Sequence, residues 1–221
     1  YYQHRVFRIK LSTGKCDWSS SKQIRYARNI AISSNNILYS MGHYGDFLVR
    51  NLSTNTDISC SNGGQLLNMR YTSGTAVDPS ASNLYVHYYR YLYRFAIQGN
   101  GCPSTSFANR IYRSRWQYSY GMRFHPTNDS ILYATSYYEH KLHKLTLNGS
   151  KNAYSSVQSV GRCCTGASSS SNVRLYYPWG LAVDTTNNRV FVAAYNKSSV
   201  QAFDLNLGFL KEFGGSSGTR M

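Results

Sequence analysis

Short runs of alternating apolar and polar residues fill the chain, separated by clusters of Asn, Asp, Ser, Thr, Gly and Pro. No window holds a sustained 3.6-residue apolar period. The runs come in groups of similar length. "NILYSM" from Asn36, "NLYVHY" from Asn83, "SILYAT" from Ser130 and "RVFVAA" from Arg189 share one pattern. "FLVRNL" from Phe47, "LYRFAI" from Leu92, "LHKLTL" from Leu142 and "VQAFDL" from Val200 share the next, and "VFRIKL" from Val6 is an extra copy near the start. Ahead of each complete group stands a Tyr, then Gly or Asn three residues later, then a short apolar strand: "YARNIAIS" (26–33), "YTSGTAVD" (71–78), "YSYGMRFH" (118–125) and "YPWGLAVD" (177–184). A weaker fourth strand closes each unit, clearest in "GFLKEFGG" from Gly208.

The repeat period is read at Asn29, Gly74, Gly121 and Gly180, whose spacings are 45, 47 and 59 residues. Four short strands in about 45 residues predict an all-β fold, a β-propeller of four-stranded antiparallel blades. The glycine lets the innermost strand approach its neighbours near the crowded axis. The chain reads as one domain, 1–221, with a half-blade at 1–18 and blades at about 24–64, 65–107, 111–160 and 174–215. An insertion at about 155–176 stretches the last spacing. Four blades plus a half make a partial ring, or one completed by other sequence or another chain. Its open outer strands are edges that invite strand addition or self-assembly.

Residues 177–215 resemble an NHL-repeat blade, with Pro-x-Gly-apolar-Ala-Val-Asp at 178–184, a strand with Val-x-Val, and Val-x-x-Phe at 200–203. The likeness is good at 71–97 and weaker at 26–52 and 118–147, where Ala-Val-Asp has become "IAIS" and "MRFH". The family's Asp-Thr-Gly-Asn-x-Arg between the second and third strands is replaced by "AAYNKSS", so polar contacts of that loop do not carry over. The resemblance implies a propeller that usually closes six blades and serves as a binding scaffold. It also implies two alternatives: an RNA-binding domain, or a metal-dependent lyase of the peptidyl amidating type.

Charge and composition narrow the partner. The chain has 221 residues, 24 Lys+Arg against 9 Asp+Glu, a net charge of +15, and 21 Tyr. Such a surface attracts polyanions such as acidic glycan or nucleic acid. No apolar run is long enough to span a membrane. Tyr26, Tyr71, Tyr118 and Tyr177 start the innermost strands and so ring one mouth of the channel, with Arg25, Arg28, Arg70, Arg115 and Arg174 beside them. Tyrosine faces interleaved with Arg suit stacking against sugars or bases while holding an acidic group. They equally suit wedges between blades.

No catalytic set emerges. His43, His87 and His125 fall at three different offsets within their repeats, paired carboxylates are wanting, and no nucleophile elbow or phosphate loop is present; neither cofactor nor metal is expected. Five cysteines (Cys16, Cys60, Cys102, Cys163, Cys164) show no Cys-x-x-Cys spacing. Cys16, Cys60 and Cys102 fall near the start of the outermost strand in successive units, which splay apart there, so they are not expected to bridge one another, and adjacent Cys163 and Cys164 could pair with each other in a vicinal disulfide. One of Cys163 and Cys164 is instead expected to reach a neighbour such as Cys102. Asn51, Asn128, Asn148 and Asn196 open N-glycosylation sequons. Together these features predict a non-enzymatic extracellular module for a protein or acidic-glycan partner, with a cytoplasmic RNA reader as the alternative.

Overall fold

The fold is described from a computed structural model covering residues 5–20, 23–60, 69, 71–104, 109–113, 118–162 and 173–215. Eighteen strands assemble into five antiparallel sheets in chain order. A two-stranded sheet pairs β1 (Phe7–Lys10) with β2 (Lys15–Ser19). The first blade holds β3 (Ala27–Ile32), β4 (Ile37–Gly42), β5 (Phe47–Asn51) and the two-residue β6 (Thr56–Asp57). The second holds β7 (Thr72–Val77), β8 (Asn83–Tyr88), β9 (Tyr91–Ala96) and β10 (Asn109–Arg113), the last lying beyond residue 107. The third holds β11 (Met122–His125), β12 (Asn128–Ser136), β13 (Lys141–Leu147) and β14 (Tyr154–Val160). The fourth holds β15 (Pro178–Asp184), β16 (Arg189–Ala194), β17 (Ser199–Asp204) and β18 (Phe209–Gly214). The arrangement is a β-propeller of four blades plus a two-stranded sheet, and β3, β7, β11 and β15 lie side by side around its axis.

Turn chemistry explains the breaks between strands. Asp78 Oδ1 accepts from the Ser82 and Asn83 amides, at 2.9 and 3.0 Å, and so closes the β7–β8 turn. Asp184 does the same toward Asn187 in the β15–β16 turn. Side chains that satisfy local amides stop a strand without stranding buried donors.

The core is not one mass but a series of layers between sheets. Tyr39, Met41 and Phe47 of the first blade meet Leu84, Val86 and Phe95 of the second. Tyr85 and Leu92 meet Met122, Leu132 and Leu145. Tyr133 and Leu142 meet Leu181, Val190 and Phe203. Val6 and Trp18 of the two-stranded sheet cover Ile24, Leu38 and Leu48. Successive residues of the middle strands point to opposite faces, and in β4 and β8 both faces are buried between neighbouring sheets.

The cysteine expectation is corrected. Cys60 and Cys102 form a disulfide between the first and second blades, with Cα atoms 5.6 Å apart. Neither lies on a splayed outer strand. Cys60 follows β6, and Cys102 sits in the β9–β10 connection, which folds back against the first blade. There Gly101 faces Ile37 and Ile58, and its carbonyl accepts the Tyr39 hydroxyl at 2.9 Å. Cys102 is therefore not available to the insertion. Cys163 and Cys164 lie outside the described residues, and Cys16 is a free, exposed thiol.

Candidate ligand face

The four repeated tyrosines share an unusual backbone. Tyr26, Tyr71, Tyr118 and Tyr177 have φ of 51°, 71°, 61° and 50°, in the left-handed region. Left-handed geometry is uncommon for a bulky residue. Each turns the chain into its innermost strand, and in three blades its carbonyl accepts an amide from the turn between the second and third strands: His43 to Tyr26, Tyr137 to Tyr118, Tyr195 to Tyr177. That second turn carries a tyrosine of its own. Tyr44, Tyr89, Tyr138 and Tyr195 stand eighteen residues after their partners, twenty in the third blade, so the propeller mouth carries two tyrosines per blade. Sequence reasoning missed this second set, although its spacing was available.

The rings also link blades. Tyr71 meets His43 of the first blade at 5.0 Å between centroids, and Tyr177 meets Tyr137 and His140 of the third at 4.7 and 4.5 Å. Tyr26 and Tyr71 remain 46% exposed, whereas Tyr118 and Tyr177 are half-buried. The wedge and the open ring face coexist in one residue.

The expected arginines are less uniform. Arg25 is held by Asp46 through its backbone amide, Nε and Nη2 at 2.9, 2.9 and 3.1 Å, which neutralises it. Arg174 is half-buried beneath the fourth blade, its carbonyl accepting from Gln201. Arg70 and Arg115 lie outside the described residues. Of these arginines, Arg28 is the one turned to the aromatic layer. Its Nη1 donates to the Tyr120 hydroxyl at 2.7 Å, its guanidinium lies 5.2 Å from the Tyr120 ring centre, and no carboxylate lies within ion-pairing distance among the described residues. Asn29 Nδ2 donates to the Tyr120 carbonyl at 2.6 Å, so the first and third blades touch across the axis. Tyr120 then stacks on Trp179 of the fourth blade at 4.3 Å and 11°. Trp179 is 38% exposed, with Tyr137 perpendicular to it and Tyr195 tilted over it at 5.9 Å. Three blades thus supply a layered group: cation, phenol, indole.

The histidines are dispersed. His87 and His143 are buried, each with Nδ1 on a serine hydroxyl, Ser73 at 3.0 Å and Ser159 at 2.7 Å, and burial pushes both down to about 3. His140 Nδ1 accepts the Tyr177 amide, which requires that nitrogen unprotonated, and burial lowers its affinity for a proton. Burial, then the Arg28 charge, lowers His43 likewise. Among the described residues no three His, Cys, Asp or Glu are grouped to hold a metal ion. No described helix is long and apolar enough to cross a membrane. Of the sequon asparagines, Asn128 and Asn196 are exposed, while Asn51 and Asn148 are half-buried and cap local turns through their side-chain oxygens.

Comparison with known proteins agrees with this geometry. The family model described as NHL repeat matches residues 175–203, the start of the fourth blade. No curated protein matches the chain in sequence. Among solved structures, a functionally unknown protein from Desulfotomaculum acetoxidans DSM 771 superposes with a TM-score of 0.65 at 16% identity, over 90% of this chain and 59% of that one. A chain of a mitotic checkpoint complex superposes with a TM-score of 0.64 at 10% identity, over 99% of this chain and 62% of that one. The chain thus spans about three-fifths of these relatives, and at such identities the likeness is one of fold. The chain is a β-propeller that carries an NHL repeat in its fourth blade.

Proposed function

We propose that the chain is a non-enzymatic binding module that works outside the cell and holds an acidic glycan on its aromatic mouth. The observation that carries this reading is the Arg28–Tyr120–Trp179 layer, an uncompensated cation beside an exposed indole. An indole face takes the apolar face of a sugar ring, Tyr137 and Tyr195 flank it, and Arg28 attracts a carboxylate or sulfate. The net charge of +15 adds long-range attraction for a polyanion. The Cys60–Cys102 disulfide fits an oxidising compartment.

Titration calorimetry with a sulfated uronate oligosaccharide tests the reading. Trp179→Ala is expected to weaken binding about tenfold, within the range of aromatic stacking. The pair Tyr71→Ala and Tyr177→Ala should weaken it further while the far-ultraviolet spectrum stays β-rich. Equal or tighter binding of a single-stranded RNA of matched charge would replace the glycan reading with an RNA one.

A further inference from the structure

The axis holds a second arginine that the ligand face does not use. In "IAIS", "TAVD" and "LAVD" the second residue is Ala31, Ala76 or Ala182; in the third blade's "MRFH" it is Arg123. The strand registers agree that these are one station, since Ala31, Ala76, Arg123 and Ala182 sit opposite Tyr39, Tyr85, Tyr133 and Phe191. A long cation has replaced a methyl group at the innermost strand. Where one copy of a repeat breaks a rule the others keep, a functional or strained position is the usual reason.

Arg123 lines a cavity of about 250 Å³ with Ile30, Ala31, Ile32, Ala76, Val77 and Phe124, all from the innermost strands of the first three blades. Every other lining side chain is apolar, and Ile30 and Ile32 are 41% and 55% exposed. Among the described residues the guanidinium makes one hydrogen bond, from Nη1 to the Met122 carbonyl at 2.7 Å. All nine carboxylate side chains of the sequence lie among the described residues, and none lies within 4 Å of it. Burial pushes its proton affinity down, with no neighbouring charge to offset that. Arg123 is half-buried, and a charge drawn partly out of water is ordinarily paired.

We infer that this cavity is a binding site for a small apolar monocarboxylate, whose carboxylate pairs with Arg123 and whose hydrocarbon lies along Ile30, Ile32 and Phe124. A guanidinium fork matches a carboxylate with two parallel hydrogen bonds. At about 30 Å³ per displaced water the cavity holds about eight waters, the bulk of a medium-chain acid. None of the residues lining this cavity belongs to the Arg28–Tyr120–Trp179 layer, so this site is built from other side chains than the glycan face.

The test uses octanoate, with octanol and octylamine as controls of equal chain length, on the oxidised chain. Octanoate should raise the melting temperature saturably and give a calorimetric binding isotherm, and the two controls should bind at least about tenfold more weakly, as loss of a charge-assisted bond implies. Arg123→Ala, which restores the residue of the other three blades, should lower octanoate affinity about tenfold or more. No saturable octanoate binding, equal binding of octanol, or unchanged affinity in Arg123→Ala would each overturn the assignment. Should that variant not fold, the contrast among the three probes on the unaltered chain decides alone.

Discussion

At the scale of single residues, one station shows how the blades are keyed. Tyr39, Tyr85 and Tyr133 are at most 1% exposed, and Phe191 occupies the same place in the fourth blade. The Tyr39 and Tyr133 hydroxyls each donate at 2.9 Å to a carbonyl of the next blade, at Gly101 and Leu205. Burial pushes the Tyr133 phenol up to about 12, so it stays a donor. Phe191 is only half-buried, and among the described residues no blade follows it. Tyr133→Phe should therefore lose about 1 kcal/mol in urea unfolding, the worth of one buried hydrogen bond, while Phe191→Tyr should change stability by less than about 0.5 kcal/mol. The four repeated tyrosines were legible in the sequence because repetition marks them. Arg28 was legible only as one of the basic residues beside them; its meeting with Tyr120 and Trp179 was not, because the three converge from three blades across the axis and linear spacing carries no record of that. The partner of Arg25 was not legible for a related reason: Asp46, twenty-one residues away, reaches it from the β4–β5 turn.

Among the elements, the inner strands are the most constrained. A Cβ added at Gly121 would lie 2.7 Å from the Trp179 carbonyl and 2.9 Å from the Leu181 nitrogen, both backbone atoms of β15. At Gly74 it would meet the Ser119 carbonyl, whereas at Gly180 it would meet nothing within 4 Å. The same residue at the same repeat station therefore predicts opposite outcomes. Gly121→Ala should lose about 1–3 kcal/mol by forcing two strands apart. Gly180→Ala should be neutral or gain a few tenths by stiffening the unfolded chain. Paired thermal melts decide it, and equal losses would mean that the two glycines do not face different surroundings. The blade pattern was readable because the middle strands bury most residues on both faces, which enforces an apolar code. The outer strands are exposed at the rim and carry little code: β6 shrinks to two residues, and β10 begins well past the Cys102 turn. That is why Cys60 and Cys102 were assigned to splayed strands when they belong to converging turns.

For the whole molecule, acid should act through the interior before it acts on the surface. His87 in the second blade and His143 in the third are held neutral by burial, from 6.5 down to about 3. Between those values the unfolded chain binds a proton on each histidine and the folded chain does not. The stability they allow is full above about pH 6.5 and is lost as pH falls toward 3, at about 1.4 kcal/mol per pH unit for each group. A chain that already carries +15 gains further self-repulsion with every proton taken up, which steepens the fall. The carboxylates of Asp17, Asp184 and Glu212, each lowered in the folded state, add to the loss only near and below their ordinary range. Urea midpoints measured from pH 8 to pH 4 should therefore stay level to about 6.5 and then descend, before any carboxylate titrates. His87→Asn, which keeps a polar partner for Ser73 without a titrating ring, should remove part of that slope even where it lowers stability at pH 7. A midpoint that held level down to pH 5 would mean that the two imidazoles take up protons inside the fold, and that the layers between blades are wetter than their burial implies.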